Sequence, residues 1–336
     1  MDAGLVVAVV LALAFALTNG FHDASNAIAT LVATRAARPS QAIVLAAVFN
    51  MLGPLLVGSA VANTIAKIVD VPASETVAVV GSGLLAATAW NVVTWWRGLP
   101  SSSGHALVGG LVGAALVEGG VDAVNWGGFD GWHPVGVLGT LVALAVSPVI
   151  GGVAAFAALR GLQRLLRRAT TRMRTPVNAG QWAGSAALAF SHGSNDAQKA
   201  VGVIAAVLLA SGETDSLSAP LWATAGSAAA LTLGTALGGW RIVRTIGQRI
   251  YRIRPLDGLS SQTSSSAVIL GASLLGAPIS TTHVVASSVV GIGVGRHRWR
   301  HVRWVIVKEM GIAWVTTIPA TAILAAVALA LWRWIA

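Results

Sequence analysis

The feature that most constrains this chain is an almost unbroken succession of apolar segments, each about as long as a bilayer is thick. Ten are readable, at 3–34, 41–62, 76–96, 99–117, 133–159, 179–210, 219–240, 259–277, 278–295 and 304–332. Crossing a hydrocarbon core takes about 20 mostly apolar residues. In lipid every backbone polar group must be satisfied within the protein, which leaves helices or closed barrels. The short alternating segments of a barrel are absent. With 55% hydrophobic residues and 10% charged, the chain is predicted to be an all-α polytopic membrane protein. Its first residues lack the basic flank of a cleavable signal peptide and are read as the first span.

The scarce charges give the segments a direction. Arginine-rich connections (Arg35 with Arg38, Arg97, 160–174, 241–254 and 296–303) alternate along the chain with acidic ones carrying Asp70, Glu75, Glu118, Asp122, Asp130, Glu213 and Asp215. Basic loops stay on the cytoplasmic side, so both termini, including Asp2, are expected outside. The net charge of +10 is then membrane orientation beside anionic lipid, and a nucleic-acid partner is not expected. With no cysteine there are no disulfides or thiolate sites.

Two octets interrupt the oil: "GFHDASNA" at 20–27 and "GSNDAQKA" at 193–200. They align Gly20 with Gly193 and Asp23 with Asp196. A second motif pair, "PSSSGHALVGGLVG" (100–113) and "PISTTHVVASSVVG" (278–291), follows in register and pairs Pro100 with Pro278 and His105 with His283. The chain therefore reads as two halves, 1–159 and 179–336, joined by a basic cytoplasmic connector at 160–178. The charge map makes segments 3–34 and 179–210 cross in opposite senses. The fold class is thus an inverted-topology repeat of about 5+5 segments, the architecture of many secondary transporters. Segments 76–117 and 259–295 are each either two full spans or one re-entrant hairpin.

Carboxylates at the bilayer centre are costly, and this chain places one in each half. We expect segments 3–34 and 179–210 to be broken helices, unwound where the glycine leads the octet and facing a protein-lined cavity. Asp23 and Asp196 could then hold a cation such as sodium, or a proton. The alternative is a purely structural role, with Asp196 locked to Lys199. Lys199 is either a fixed counter-charge or an anion ligand, and Asn26 stands opposite it in the alignment. Ser101, Ser102, Ser103, Ser280, Thr281 and Thr282 follow prolines expected to open new helices, where hydroxyls and free N–H groups suit a tetrahedral oxyanion. His105 and His283 are candidates for a proton relay or for packing.

Together, "GFHDASNAIAT", "SHGSNDAQKAVG", "LPSSSGHALVGGLVGAAL" and "PISTTHVVASSVVGIG" resemble the inorganic phosphate transporter (PiT) family of sodium- or proton-coupled symporters. The resemblance implies phosphate as substrate, a homodimer, and a central ion and phosphate site at Asp23, Asn26, Asn195 and Asp196, completed by the hydroxyl runs at 101–103 and 280–282. It implies no bound cofactor beyond the coupling ion, and a prokaryotic inner or plasma membrane. Gln262 stands where an acidic residue is expected in many members. Sulfate, another tetrahedral oxyanion, is the closest rival substrate. An enzyme is not expected: Ser, His and Asp occur in the membrane, but no G-x-S-x-G or H-E-x-x-H motif accompanies them. A primary pump is not expected either, since no phosphate-binding G-x-x-x-x-G-K-[ST] loop is present.

Overall fold

The computed structural model describes residues 3–130, 133–168, 170–297 and 299–335. Twelve helices account for nearly all of it: α1 (Ala3–Ala33), α2 (Pro39–Leu56), α3 (Ala60–Ile65), α4 (Ala73–Arg97), α5 (Ser103–Gly119), α6 (Gly136–Leu165), α7 (Arg174–Ala210), α8 (Leu221–Leu237), α9 (Trp240–Arg244), α10 (Pro255–Leu274), α11 (Thr281–Gly295) and α12 (Trp304–Ile335). A two-residue ladder, Phe129–Asp130 with His133–Pro134, is the only β-sheet among the described residues. Each of the ten apolar segments contains one long helix. The expected position of Asp2 falls outside the described residues.

Local chemistry sets the helix boundaries. Helices α2 and α10 open on Pro39 and Pro255, where a missing N–H is harmless. The backbone N–H before each proline is taken up by Gln41 and Asp257, at 3.0 Å in both cases. Helix α4 ends at Gly98, whose φ of 67° is left-handed. Ser102 and Ser280 cap α5 and α11 by accepting the N–H of His105 and His283, each at 3.2 Å. Pro100 and Pro278 therefore stand outside these helices rather than in their first turns. Likewise the basic connector is helical at both ends, with α6 running to Leu165 and α7 starting at Arg174.

The expected breaks in α1 and α7 are not there. Both helices run straight through their octets, from Ala3 to Ala33 and from Arg174 to Ala210. The glycines serve close packing instead. A Cβ on Gly20 would lie 2.1 Å from the carbonyl oxygen of Leu231 in α8, and one on Gly193 would lie 2.2 Å from that of Asn50 in α2. Helix α8 thus presses on α1, and α2 on α7, at equivalent points of the two halves. Small residues that let backbones approach are the usual glue of helices in lipid.

The same correspondence runs through the rest of the packing. Helix α5 packs on α12 as α11 packs on α6, and α4 meets α12 as α10 meets α6. At the centre α1 packs against α7. Leu5–Ala16 of α1 share one apolar core with Ala200–Leu208 of α7, and Ala27–Leu31 share a second core with Leu188 and Ala189. The two helices therefore lie antiparallel, and both polar octets fall between the two cores. Among the described residues six helices are long and apolar enough to cross a membrane. Helix α7, despite its length, is not among them, because its octet is too polar.

Candidate functional site

An unbroken helix that carries Asn19, His22, Asp23, Ser25 and Asn26 must satisfy those side chains from neighbouring helices. The capped starts of α5 and α11 do this for Asp23 and Asn26, and Thr94 and Ser101 for His22, while Asn19 and Ser25 are left without a partner. Asp23 and Asp196 are buried, at 1% and 0% exposure. One oxygen or nitrogen from each of Asp23, His192 and Asp196 lies within 4.8 Å of the others, so carboxylates 173 residues apart in sequence are brought together.

Each carboxylate is dressed by hydroxyls from the starts of α5 and α11. Asp23 accepts from Ser103 Oγ at 3.0 Å, Thr282 Oγ1 at 2.8 Å and His22 Nδ1 at 2.8 Å. Asp196 accepts from Thr281 Oγ1 at 2.7 Å and is ion-paired with Lys199, whose ammonium also donates to the Ile279 carbonyl at 3.0 Å. His192 Nε2 stands 2.9 Å from Asp196 Oδ2, close but not aligned as a hydrogen bond. Because Thr281 and Thr282 spend their protons on the two aspartates, they can only accept from the Asn26 amide, at 3.3 and 3.0 Å. One asparagine thus ties both carboxylates together through two hydroxyls. Its Oδ1 is left buried without a partner, as is that of Asn195, whose Nδ2 donates to Ser273 Oγ and the Ala277 carbonyl. Two orphan acceptor oxygens in a dry site call for a cation or a donor.

The alignment also explains Lys199. Ser103 and Thr281 are equivalent and each serves its own aspartate, but the next position is Gly104 in one half and Thr282 in the other. Asn26 meets Thr282, whereas Lys199, its counterpart, lies over Gly104, where a Cβ would stand 3.2 Å from Nζ. The missing side chain makes room for the longer one. We expect Gly104→Thr to displace the ammonium and impair transport. Lys199→Asn in the same chain relieves the clash but leaves Asp196 without its cation, so the thermal midpoint, read by fluorescence-detected size exclusion after heating, should stay below that of the parent.

Ser101 bonds His22 Nε2 at 3.2 Å and Thr94 Oγ1 at 2.9 Å. Ser102 and Ser280 accept their capping bonds, which leaves each hydroxyl proton for another acceptor. The rings of His105 and His283 are tilted against each other at 35°, with centroids 4.7 Å apart. Their neighbour Trp314, which sequence reasoning missed, stacks on His283 at 3.8 Å and donates to the Pro100 carbonyl at 3.1 Å. One indole on α12 therefore touches both α11 and the approach to α5. Trp314→Ala should lower the thermal midpoint by several degrees and reduce transport, with Trp314→Phe intermediate because it keeps the stack and loses the bond. Asn50, which joins His192 at 3.0 Å to Thr235 at 2.9 Å, was also missed. A lone mid-span asparagine was its only signal.

The model of the phosphate transporter family matches residues 19–178 and 166–325. The chain belongs to that family. It is 42% identical over 328 residues to a probable low-affinity inorganic phosphate transporter of Bacillus subtilis, covering 96% of this chain and 95% of the relative. A relative of the same description from Rhizobium meliloti is 39% identical over 324 residues, covering 96% of this chain and 94% of the relative. Among solved structures, one titled "The sodium-dependent phosphate transporter" matches with a TM-score of 0.89 and 26% identity, over 100% of both chains. The family, like these relatives, is one of transporters rather than enzymes, and this chain is accordingly an integral membrane protein.

Proposed function

We propose that this protein is a secondary active importer of inorganic phosphate driven by sodium, working by alternating access in a prokaryotic plasma membrane. The observation that carries this reading is the convergence of the capped starts of α5 and α11 on Asp23 and Asp196 in one buried cluster. Phosphate is held by Ser101, Ser102, Ser103, Ser280, Thr281, Thr282, Asn26 and Lys199, through hydroxyls, an ammonium and the N-terminal N–H groups of α5 and α11. Sodium takes oxygens of Asp23 and Asp196 together with the orphan Oδ1 atoms of Asn26 and Asn195, a hard-donor set. The solved relative's title, which names sodium dependence, supports sodium over protons.

Burial supports alternating access. Asp23, Asp196 and Lys199 are each at most 1% exposed, so cargo reaches them only if packed elements part. The antiparallel α1 and α7 fit inverted halves, in which rocking one repeat element against the other opens either side. Helix α11, of 15 residues, is about 22 Å long and begins in the interior, which fits a re-entrant hairpin at 259–295, whereas α4 and α5 are each long enough to span. Both termini lie outside, and a homodimer is the assembly the family resemblance implies.

Uptake of labelled phosphate into proteoliposomes, with sodium or choline outside, tests the reading. Accumulation in sodium alone is expected. Accumulation that is indifferent to sodium but driven by an inward proton gradient overturns the coupling ion. Competition by sulfate but not by unlabelled phosphate overturns the substrate. Two neighbouring aspartates favour phosphate, which can donate a proton in a hydrogen bond, where sulfate cannot.

A further inference from the structure

We propose that the groove between α6, α11 and α12 is a binding site for an anionic phospholipid, and that its occupancy supports α5 and α11 at the transport site. The groove encloses about 430 Å³ and is lined almost wholly by apolar side chains, among them Val149, Val153 and Phe156 of α6, Val290 and Val294 of α11, and Val307 of α12. Several of these are exposed. It closes at Trp314, the residue that stacks on His283 and bonds Pro100.

Its other end carries Arg160 on α6 and Arg303 just before α12. Arg160 follows Phe156 by one turn and lies over that ring, 5.6 Å from its centroid. His297 follows Val294 by three residues and accepts from the Arg160 guanidinium. The exposed Arg303 precedes Val307 by one turn. No carboxylate among the described residues pairs with Arg160 or Arg303; the nearby Arg296 is already taken by Asp257, at 2.6 Å. An apolar channel ending in unpaired cations is complementary to an acyl chain with an anionic headgroup. A second copy of this chain would instead have to bring its own acids to that rim. An acyl chain of this depth ends against Trp314, so a filled groove buttresses the indole that holds His283 and Pro100.

The coupling to transport rests on the proposed function, whereas the binding does not, and the two are read separately. Full-length protein in nanodiscs of equal phosphatidylglycerol and phosphatidylcholine is released for native mass spectrometry, and retained lipid is counted. We expect phosphatidylglycerol to be retained at least about fivefold over phosphatidylcholine. Arg160→Ala should lose most of that preference and Arg160→Lys keep it. Val290→Trp, which fills the groove, should lose bound lipid while the chain stays monodisperse. Equal retention of the two lipids, no retained lipid, or a protein dimer that occludes the groove overturns the site. In liposomes, uptake should fall several-fold in pure phosphatidylcholine, and the Arg160→Ala variant should not respond to phosphatidylglycerol. Selective binding with unresponsive uptake overturns the coupling alone, and binding without any uptake in either lipid counts against the proposed function rather than the site.

Discussion

Asp196→Asn should sharply reduce phosphate accumulation and also destabilise the folded chain, whereas Asp23→Asn should reduce accumulation as much with little loss of stability. The difference lies in what each carboxylate faces. Asp23 accepts from two hydroxyls and an imidazole, and an asparagine there can keep part of that set. Asp196 is ion-paired with Lys199, which is 1% exposed. Removing one partner of a buried pair leaves an uncompensated charge, at a cost of about 3–5 kcal/mol. Transport should fall on the order of a hundredfold in both variants, since hydrogen bonds to charged groups are worth about 1.5–3 kcal/mol each. Melting followed by size exclusion, alongside uptake, separates the two effects. Adding Lys199→Met to Asp196→Asn should recover the midpoint but not the uptake. Near-normal accumulation by either single variant would remove the aspartates from the proposed site.

Gly193→Ala and Gly20→Ala should each cost much folded protein, as should an added methyl at Gly234 or Gly291, whose Cβ positions lie 2.0 and 2.1 Å from backbone oxygens. At Gly193 and Gly20 the new carbon meets backbone, at 2.2 Å from Asn50 O and 2.1 Å from Leu231 O, and backbone cannot rotate aside. Overpacking a well-filled core costs about 1–3 kcal/mol, occasionally more, and here a whole helix would have to move. Gly271→Ala in α10 is the control. Nothing lies within 4 Å of its Cβ position, so it should be neutral or slightly stabilising by helix propensity. Expression yield and thermal midpoint of the three variants decide the matter. If Gly193→Ala melts like Gly271→Ala, the close approach of α2 to α7 is not what the glycine serves.

The glycines also mark where sequence reasoning went astray. In a polar octet within an apolar segment, Gly20 and Gly193 read equally well as a helix break or as a packing contact, because a missing Cβ serves both. Only the position of α8 and α2 distinguishes them. Asn26 and Lys199 pose the same kind of problem: their mismatch has no local cause, and it resolves only when Thr282 and Gly104 are seen opposite them. Trp314 was invisible as a site residue because one more apolar ring inside an apolar span carries no sign of what it packs against.

By itself the sequence determined the helical membrane class, the ten long segments, the in-register motif pairs and the residue types of the central cluster. Those follow from hydropathy over about 20 residues, from helix-capping chemistry and from internal similarity, all of which are local or repeated along the chain. The tertiary structure alone decided that α1 and α7 stay continuous, that one amide links both aspartates through two threonines, and that Trp314 holds His283 of α11 and Pro100 before α5. These depend on distances between atoms up to 259 residues apart in sequence, as between Asp23 and Thr282. Such distances are fixed by how closely helices pack, and periodicity along a single chain does not encode that closeness.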